Sequence, residues 1–260
     1  MKIDSHVVIG PFIGETGEPG YPNVRLEVNE LVDIMDKAKI DKAIIFPAAE
    51  WSTSTTISQI EVNEAMANEI SKHANRLIGF GRVNPNYKHS LKDAEKMIRD
   101  FGFKGLGEFH PIVDSFAANS SIMHPFMELA QELAIPVKMH SGMGRAALPS
   151  LIGDLASKFP EVPVIMCHMG CWEWPEAIVV AKNVSNIVLE HCAGPSLYPR
   201  GRYGALKAAV NELGASRIIW GSDEPYCDMF MALREVESCT FTKEEERMIM
   251  GDNIAKILKL

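Results

Sequence analysis

Short apolar runs alternate with amphipathic stretches of helical length along the whole chain. The apolar runs are rich in β-branched residues and predict strands, whereas apolar positions three and four residues apart predict helices. The predicted strands span residues 2–8, 42–47, 77–83, 103–109, 136–140, 163–168, 186–190 and 217–221. The helices predicted between them lie near 27–39, 58–74, 89–101, 122–134, 148–159, 173–183 and 201–213. Repeated strand–helix units of this kind predict parallel strands joined by crossover helices.

The chain beyond the eighth predicted strand continues as helix. Residues 242–246 have a helix start with acidic side chains in the first turn, and 251–260 form a final short helical pattern. Eight units in 260 residues fit an α/β fold of the (β/α)8 TIM-barrel type, which takes about 250 residues. A doubly wound open sheet produces a similar local pattern. Because no break in composition marks a boundary, we predict a single barrel domain over 1–260.

The charge balance and the length of the apolar runs narrow the classes of partner. Acidic residues outnumber basic ones 34 to 26 without a cluster of Lys and Arg, so we expect a small-molecule substrate and no nucleic acid. The longest apolar runs, 42–47 and 163–167, are far shorter than the roughly 20 residues of a membrane helix. Residues 1–6 carry no export signal. We therefore expect a cytoplasmic protein with no membrane partner, and a homodimer as the commonest assembly of soluble enzymes.

The five cysteines are odd in number and lack C-x-x-C spacing. This pattern predicts buried free thiols rather than a disulfide framework or a structural zinc site.

Histidine and acidic residues gather at the ends of five predicted strands. They are Asp4 and His6 on strand one, Glu108 and His110 on strand four, His140 on strand five, His168 on strand six, and Asp223 just after strand eight. In a barrel these ends lie at one face, and strict alternation would turn Asp4, His6 and Val8 to one side of strand one and Lys104, Leu106, Glu108 and His110 to the axis. Imidazole and carboxylate are the ligands of zinc, manganese and iron. One strand-end histidine is usually structural, but five converging strand ends indicate a divalent metal site.

Several motifs resemble the amidohydrolase superfamily, and within it the amidohydrolase-related group that includes aminocarboxymuconate-semialdehyde decarboxylase. These motifs are IDSH at 3–6, FKGLGEFHP at 103–111, PVKMHSG at 136–142, VIMCHMG at 164–170, WPEA at 174–177, RIIWGSDEP at 217–225 and GDNIAKIL at 251–258. The resemblance covers nearly the whole chain in the right order and is specific to the superfamily, not to a substrate.

The resemblance implies a metal site at the carboxyl ends of the strands, with His6, His140 and Asp223 as ligands. It also implies that His168 binds a second metal or orients or deprotonates the attacking water. The family pattern has a second histidine on strand one where this chain has Val8, which cannot donate to a cation. We predict Glu108 as the replacement ligand. The alternative is that Glu108 pairs with Lys138 or an arginine inside the barrel.

The function expected from this site is metal-dependent hydrolysis of an amide, lactone or ester bond of a small molecule by a metal-activated water. Asp223 and His168 are the predicted catalytic residues, with zinc the first choice of metal and manganese or iron the alternatives. His110, Arg145 and Arg202 are predicted to bind substrate, although both arginines could equally be surface charges.

Two other functions fit the same residues. A metal-dependent, non-oxidative decarboxylase of a small carboxylic acid needs the same ligand set. The loss of a histidine at Val8 also admits an inactive barrel that binds or scaffolds, against which stands the retention of the other polar groups at the strand ends.

Overall fold

The computed structural model describes residues 1–13, 25–50, 56–192 and 204–260. Eight parallel strands lie in chain order around one sheet. Their bounds are β1 Ile3–Ile9, β2 Lys42–Pro47, β3 Leu77–Gly81, β4 Gly105–Phe109, β5 Val137–Met139, β6 Val164–Met166, β7 Ile187–His191 and β8 Ile218–Trp220. The backbone after β8 returns to β1, where the amide of Val8 donates to the carbonyl of Glu224 at 2.9 Å. This contact brings the first and last strands together, so the predicted (β/α)8 barrel is confirmed and the open sheet is excluded.

The helices surround the strands in the order expected. Their bounds are α1 Val28–Ala38, α2 Gln59–Lys72, α3 Ser90–Arg99, α4 His124–Leu133, α5 Pro149–Lys158, α6 Trp174–Asn183, α7 Ala205–Leu213, α8 Met229–Ser238, α9 Lys243–Arg247 and α10 Asn253–Leu258. Capping boxes start α2 at Ser58 and α9 at Thr242, and the second confirms the helix start predicted at 242–246. Helix α8 was not predicted, although Asp228 caps it and Met229, Ala232 and Val236 bury one face. No helix among the described residues is long and apolar enough to cross a bilayer.

The apolar core has two layers, one inside the barrel and one between barrel and helices. Inside, Ile44, Phe46 and Ile165 pack with Ile254 and Leu258 of α10, so α10 closes the barrel at the end away from the carboxyl ends of the strands. The larger outer layer joins the other faces of the strands to the helices. The interior is therefore a packed core rather than a pore, which leaves the carboxyl ends of the strands as the open face.

Two β-bulges change which side chains face the axis. In β1, Asp4 and Val7 pair with Ala43 and Ile45, and in β4, Leu106 and Phe109 pair with Val137 and Met139. Between these pairs β1 and β4 each advance by three residues while the partner strand advances by two, so β1 and β4 each contain one extra residue.

The extra residues make the prediction of strict alternation wrong on both strands. In β1 the adjacent residues Ser5 and His6 both reach Glu190, and Asp4 instead accepts from the backbone amides of His6 and Ser222. In β4, Leu106 joins the outer layer, while Glu108 contacts histidines at the axis. Lys104 is exposed and does not face the axis. Each bulge thus turns one polar residue inward.

The strands are shorter than predicted where the site begins. His140 and His168 follow β5 and β6 instead of ending them, and His168 has a left-handed backbone with φ of 58°. The two loops that carry them touch, because an added Cβ on Gly142 would lie 2.2 Å from the carbonyl oxygen of Gly170. Gly142 also has φ of +82°, so only glycine allows this approach.

Candidate metal centre

The polar residues predicted at the strand ends meet in one buried cluster. His6, Glu108, His140, His168 and Asp223 are each 5% exposed or less. His6 Nε2 lies 3.3 Å from Asp223 Oδ1 and 4.0 Å from Glu108 Oε2. The structure therefore brings together all four predicted metal ligands and the predicted catalytic histidine.

Glu108 lies at the centre of the cluster and links its histidines. Its Oε1 lies 3.2 Å from His140 Nδ1 and 3.2 Å from His168 Nε2. Burial alone would raise the pKa of Glu108, but hydrogen bonds from His140 and His168 and the charge of His140 and His6 outweigh it and hold the pKa well below its usual range. Glu108 is thus a carboxylate that accepts from two imidazoles at one oxygen, with the other turned towards His6.

The hydrogen bonds assign the tautomers of His6 and His140. The Nδ1 atom of His6 lies 2.8 Å from Glu190 Oε2, and that of His140 lies 3.2 Å from Glu108 Oε1. Since an ionised carboxylate only accepts, both Nδ1 atoms carry the proton. Both Nε2 atoms then offer a lone pair, and both are buried without a hydrogen-bond partner. A buried imidazole lone pair that faces two carboxylates, as His6 Nε2 faces Asp223 and Glu108, is a metal-binding arrangement.

Asp223 reaches the cluster from an unusual backbone position. Its φ of 67° is left-handed, and its amide donates to the carbonyl of His6 at 2.9 Å. This seam between β1 and the end of β8 sets Oδ1 near His6 and Oδ2 3.9 Å from His168 Nδ1. The strain of a left-handed aspartate is the kind found at functional sites.

His168 is held between Glu108 and a thiol. Burial lowers the pKa of His168 to about 3, so the ring is neutral near pH 7. Its Nε2 donates to Glu108, and its Nδ1 lies 3.1 Å from the Sγ of Cys192. The ring thereby orients Glu108 with one nitrogen and faces Cys192 and Asp223 with the other.

Three residues next to the cluster had no predicted role, Ser5, Glu190 and Cys192, and Lys138 was considered only as a partner of Glu108. Lys138 Nζ lies 2.7 Å from Glu190 Oε1, so the predicted alternative, in which Lys138 pairs with Glu108, is wrong. Burial alone would favour the neutral form of both groups. The opposite charge of each partner outweighs this effect, so the pKa of Glu190 is lowered and that of Lys138 is raised. Glu190 is the last residue of the seventh predicted strand, which was the available signal.

All five cysteines are free thiols, four of them buried, as the sequence predicted. The exception is Cys239, which is partly exposed.

The three predicted substrate-binding residues do not all lie at the metal centre. His110 stacks on His140 with ring centroids 3.8 Å apart, and burial together with His140 lowers the pKa of His110 well below its usual range. Arg145 is exposed and lines an open groove of about 430 Å³ with Pro111 and Ile112. Arg202 lies outside the described residues. His110 is therefore in contact with the cluster, and Arg145 lines the neighbouring groove, which Pro111 also lines.

A profile of the amidohydrolase family matches residues 44–260. The chain belongs to the amidohydrolase family. The predicted resemblance is therefore confirmed, and the chain is an amidohydrolase-family enzyme. No match was found among curated protein sequences.

Solved structures with the same fold include both decarboxylases and a hydrolase. The 5-carboxyvanillate decarboxylase of Sphingomonas paucimobilis has 14% identity and a TM-score of 0.73 over 100% of this chain and 99% of that one. A dihydroxybenzoic acid decarboxylase of Polaromonas sp. JS666, with bound manganese and 2-nitroresorcinol, has 18% identity and a TM-score of 0.72 over 100% and 97%. A probable 2-pyrone-4,6-dicarboxylic acid hydrolase of Acinetobacter baumannii, with citric acid bound, has 18% identity and a TM-score of 0.73 over 100% and 99%. At these identities the likeness establishes the fold.

Val8, where this amidohydrolase departs from the family motif, is an apolar core residue. Val8 is 4% exposed and packs in the interior layer with Phe46 and Ala48. It contributes no donor atom, whereas Glu108 Oε2 lies 4.0 Å from the free Nε2 of His6. The donor set that remains contains two imidazole nitrogens and two carboxylates, which fits a divalent cation in both chemistry and charge.

Proposed function

We propose that the chain is a metal-dependent hydrolase that cleaves an amide, lactone or ester bond of a small molecule. The observation that carries this proposal is the buried, unpartnered Nε2 of His6, which lies 3.3 Å from Asp223 Oδ1 and 4.0 Å from Glu108 Oε2. A second unpartnered Nε2 belongs to His140, whose Nδ1 contacts Glu108. Without a cation, these two nitrogen lone pairs would be buried without a hydrogen-bond partner, which costs free energy.

The residues that would hold the metal are His6, Glu108, His140 and Asp223. When bound, a divalent ion would polarise a carbonyl oxygen and lower the pKa of a water molecule towards about 7. Zinc is our first choice because an imidazole and carboxylate set suits it, and manganese, which the Polaromonas structure contains, is the alternative.

Asp223 is the proposed general base. Its Oδ1 faces the free nitrogen of His6 and its Oδ2 faces His168, so it borders both the metal ligands and the neutral imidazole. We infer that Asp223 accepts the proton of the attacking water and returns it to the leaving group. His168 is neutral and bonded to Glu108 and Cys192, so its proposed part is to hold Glu108 and Asp223 in position while the substrate is bound.

Decarboxylation is the second candidate, and the stacked pair of His110 and His140 favours it. The His110 ring is partly exposed and presents a flat surface on which a planar, conjugated acid would stack. The solved structures of similar fold are named for hydroxylated benzoates and a pyrone dicarboxylic acid, which share a ring and a carboxylate. We infer that the substrate is of this class, with Arg145 in the adjoining groove as the partner of a second carboxylate.

Metal analysis followed by an isotope experiment tests the proposal. We expect near-stoichiometric zinc, manganese or iron in the purified protein, and activity on pyrone lactones, aryl esters or hydroxybenzoates. With water enriched in oxygen-18, hydrolysis places the label in the product carboxylate. In deuterium oxide, decarboxylation instead places one deuterium on the ring carbon and releases carbon dioxide. A protein that stays empty when metal is added, and turns over none of these compounds, would contradict both functions and favour a binding role.

A further inference from the structure

We propose that Glu190, held in place by Lys138, is the positioning residue that fixes which nitrogen of His6 faces the metal. The inference rests on the proposed metal site and extends it to two residues on β5 and β7. Neither touches the free Nε2 of His6, so both would act through the His6 ring.

Glu190 contacts the far side of His6. Its Oε2 lies 2.8 Å from His6 Nδ1, so the proton is held on Nδ1 and the lone pair of Nε2 is directed to Glu108 and Asp223. A carboxylate at this position is the common outer partner of a metal-binding histidine, where it sets the tautomer and makes the ring a better donor.

The carboxylate of Glu190 cannot rotate away from His6. Its other oxygen accepts from Ser5 Oγ at 2.5 Å and from Lys138 Nζ at 2.7 Å. Ser5 is the neighbour of His6 in the β1 bulge, so one carboxylate binds two successive side chains of the same strand. Glu190 and Lys138 are fully buried, and water does not compete for these bonds.

Lys138 balances the negative charge of Glu190, so the pair adds no net charge to the metal centre. Its ammonium donates to Glu190 and to the carbonyl of Ser5 and lies 5.3 Å from the Phe46 ring centroid. A third carboxylate beside Glu108 and Asp223 would otherwise add a negative charge that a divalent cation does not balance. With Lys138 present, Glu190 polarises His6 without adding net charge to the site.

Three variants separate positioning from a merely structural ion pair: Glu190→Gln, Lys138→Met and the double variant. Zinc affinity is measured by competition with a chromophoric chelator, and stability of the metal-free protein by urea unfolding. We expect Glu190→Gln to weaken zinc binding about 10- to 100-fold. Each single variant leaves a buried charge or donor without its partner and should lower the urea midpoint. The double variant should recover most of the midpoint but none of the affinity.

Glu235→Gln is the matched control. Glu235 Oε2 lies 3.1 Å from His191 Nε2, on the next residue of β7, and belongs to α8 on the other side of the strand. This variant removes a histidine–carboxylate contact of the same chemistry, and zinc affinity should not change.

Nitrogen-15 NMR of the metal-free protein supplies a readout that does not need metal. The His6 ring, assigned by its loss in His6→Gln, should carry its proton on Nδ1 in the native protein and become a mixture of tautomers in Glu190→Gln. Native zinc affinity in Glu190→Gln, or recovery of affinity with stability in the double variant, would overturn the inference. A native protein that binds no metal but shows the tautomer change would remove the proposed function, and only the part of the inference that concerns the His6 tautomer would stand.

Discussion

Asp114 lies in the segment after β4, four residues beyond His110, and both of its carboxylate oxygens are buried without a hydrogen-bond partner. The charge of Arg82 offsets only part of the cost, and burial raises the pKa of Asp114 from 3.8 to about 6. Since one pKa unit is worth about 1.4 kcal/mol, this shift corresponds to about 3 kcal/mol. Folding therefore stabilises the neutral carboxyl of Asp114 relative to the ionised one, and above about pH 6 the ionised form is present at a cost.

The sign of the pH dependence follows directly. Below pH 3.8 both states are protonated and the penalty is absent. Between 3.8 and about 6 the native state binds more protons than the unfolded one, so stability falls as pH rises. Above about 6 the full penalty of about 3 kcal/mol is present.

Asp114→Asn removes the charge at nearly constant shape. We expect its free energy of unfolding in urea to exceed that of the native protein by about 2–3 kcal/mol at pH 8 and by little at pH 4. Asp33→Asn, an exposed position on α1, is the control and should show no such trend. A difference between Asp114→Asn and the native protein that is the same at both pH values would refute the reasoning, because a charge-independent effect would then explain it.

Three further predictions concern the metal centre and its frame. Asp223→Asn should lower kcat by about 100- to 10,000-fold, the range for a lost general base, in steady-state assays on any substrate found. Gly142→Ala should lower the urea midpoint by the equivalent of about 2–4 kcal/mol, because its Cβ would meet the Gly170 carbonyl oxygen at 2.2 Å; native stability would contradict the close approach. Removal of metal by a chelator should lower Tm, and adding zinc back at about 100 times its Kd should restore about 2.7 kcal/mol, as followed by calorimetry.

Sequence reasoning could predict the fold because the signals that specify it are local. Eight apolar runs at regular spacing, separated by stretches with helical periodicity, indicate a barrel. It also found the strand ends that meet at the site, since in a barrel the carboxyl ends of all strands lie at one face.

What the sequence could not supply was the pairing of charges across the barrel. Lys138 and Glu190 are 52 residues apart, and nothing in their neighbourhoods says that Lys138 prefers Glu190 to Glu108. The bulges were equally hidden, because an extra residue in a strand is visible only against the partner strand. Strict alternation therefore placed Leu106 on the wrong side and put Asp4 beside His6.

The bulges in β1 and β4 also have an evolutionary consequence. A regular strand ties every residue to one of two faces, so a change that improves a pocket tends to disturb the packing on the other side. An extra residue releases that tie, since Ser5 and His6 can change while Ile3 and Val7 keep their places in the two layers of the core. New chemistry at the mouth of such a barrel can then be acquired by point substitutions, without realigning a strand against its neighbours.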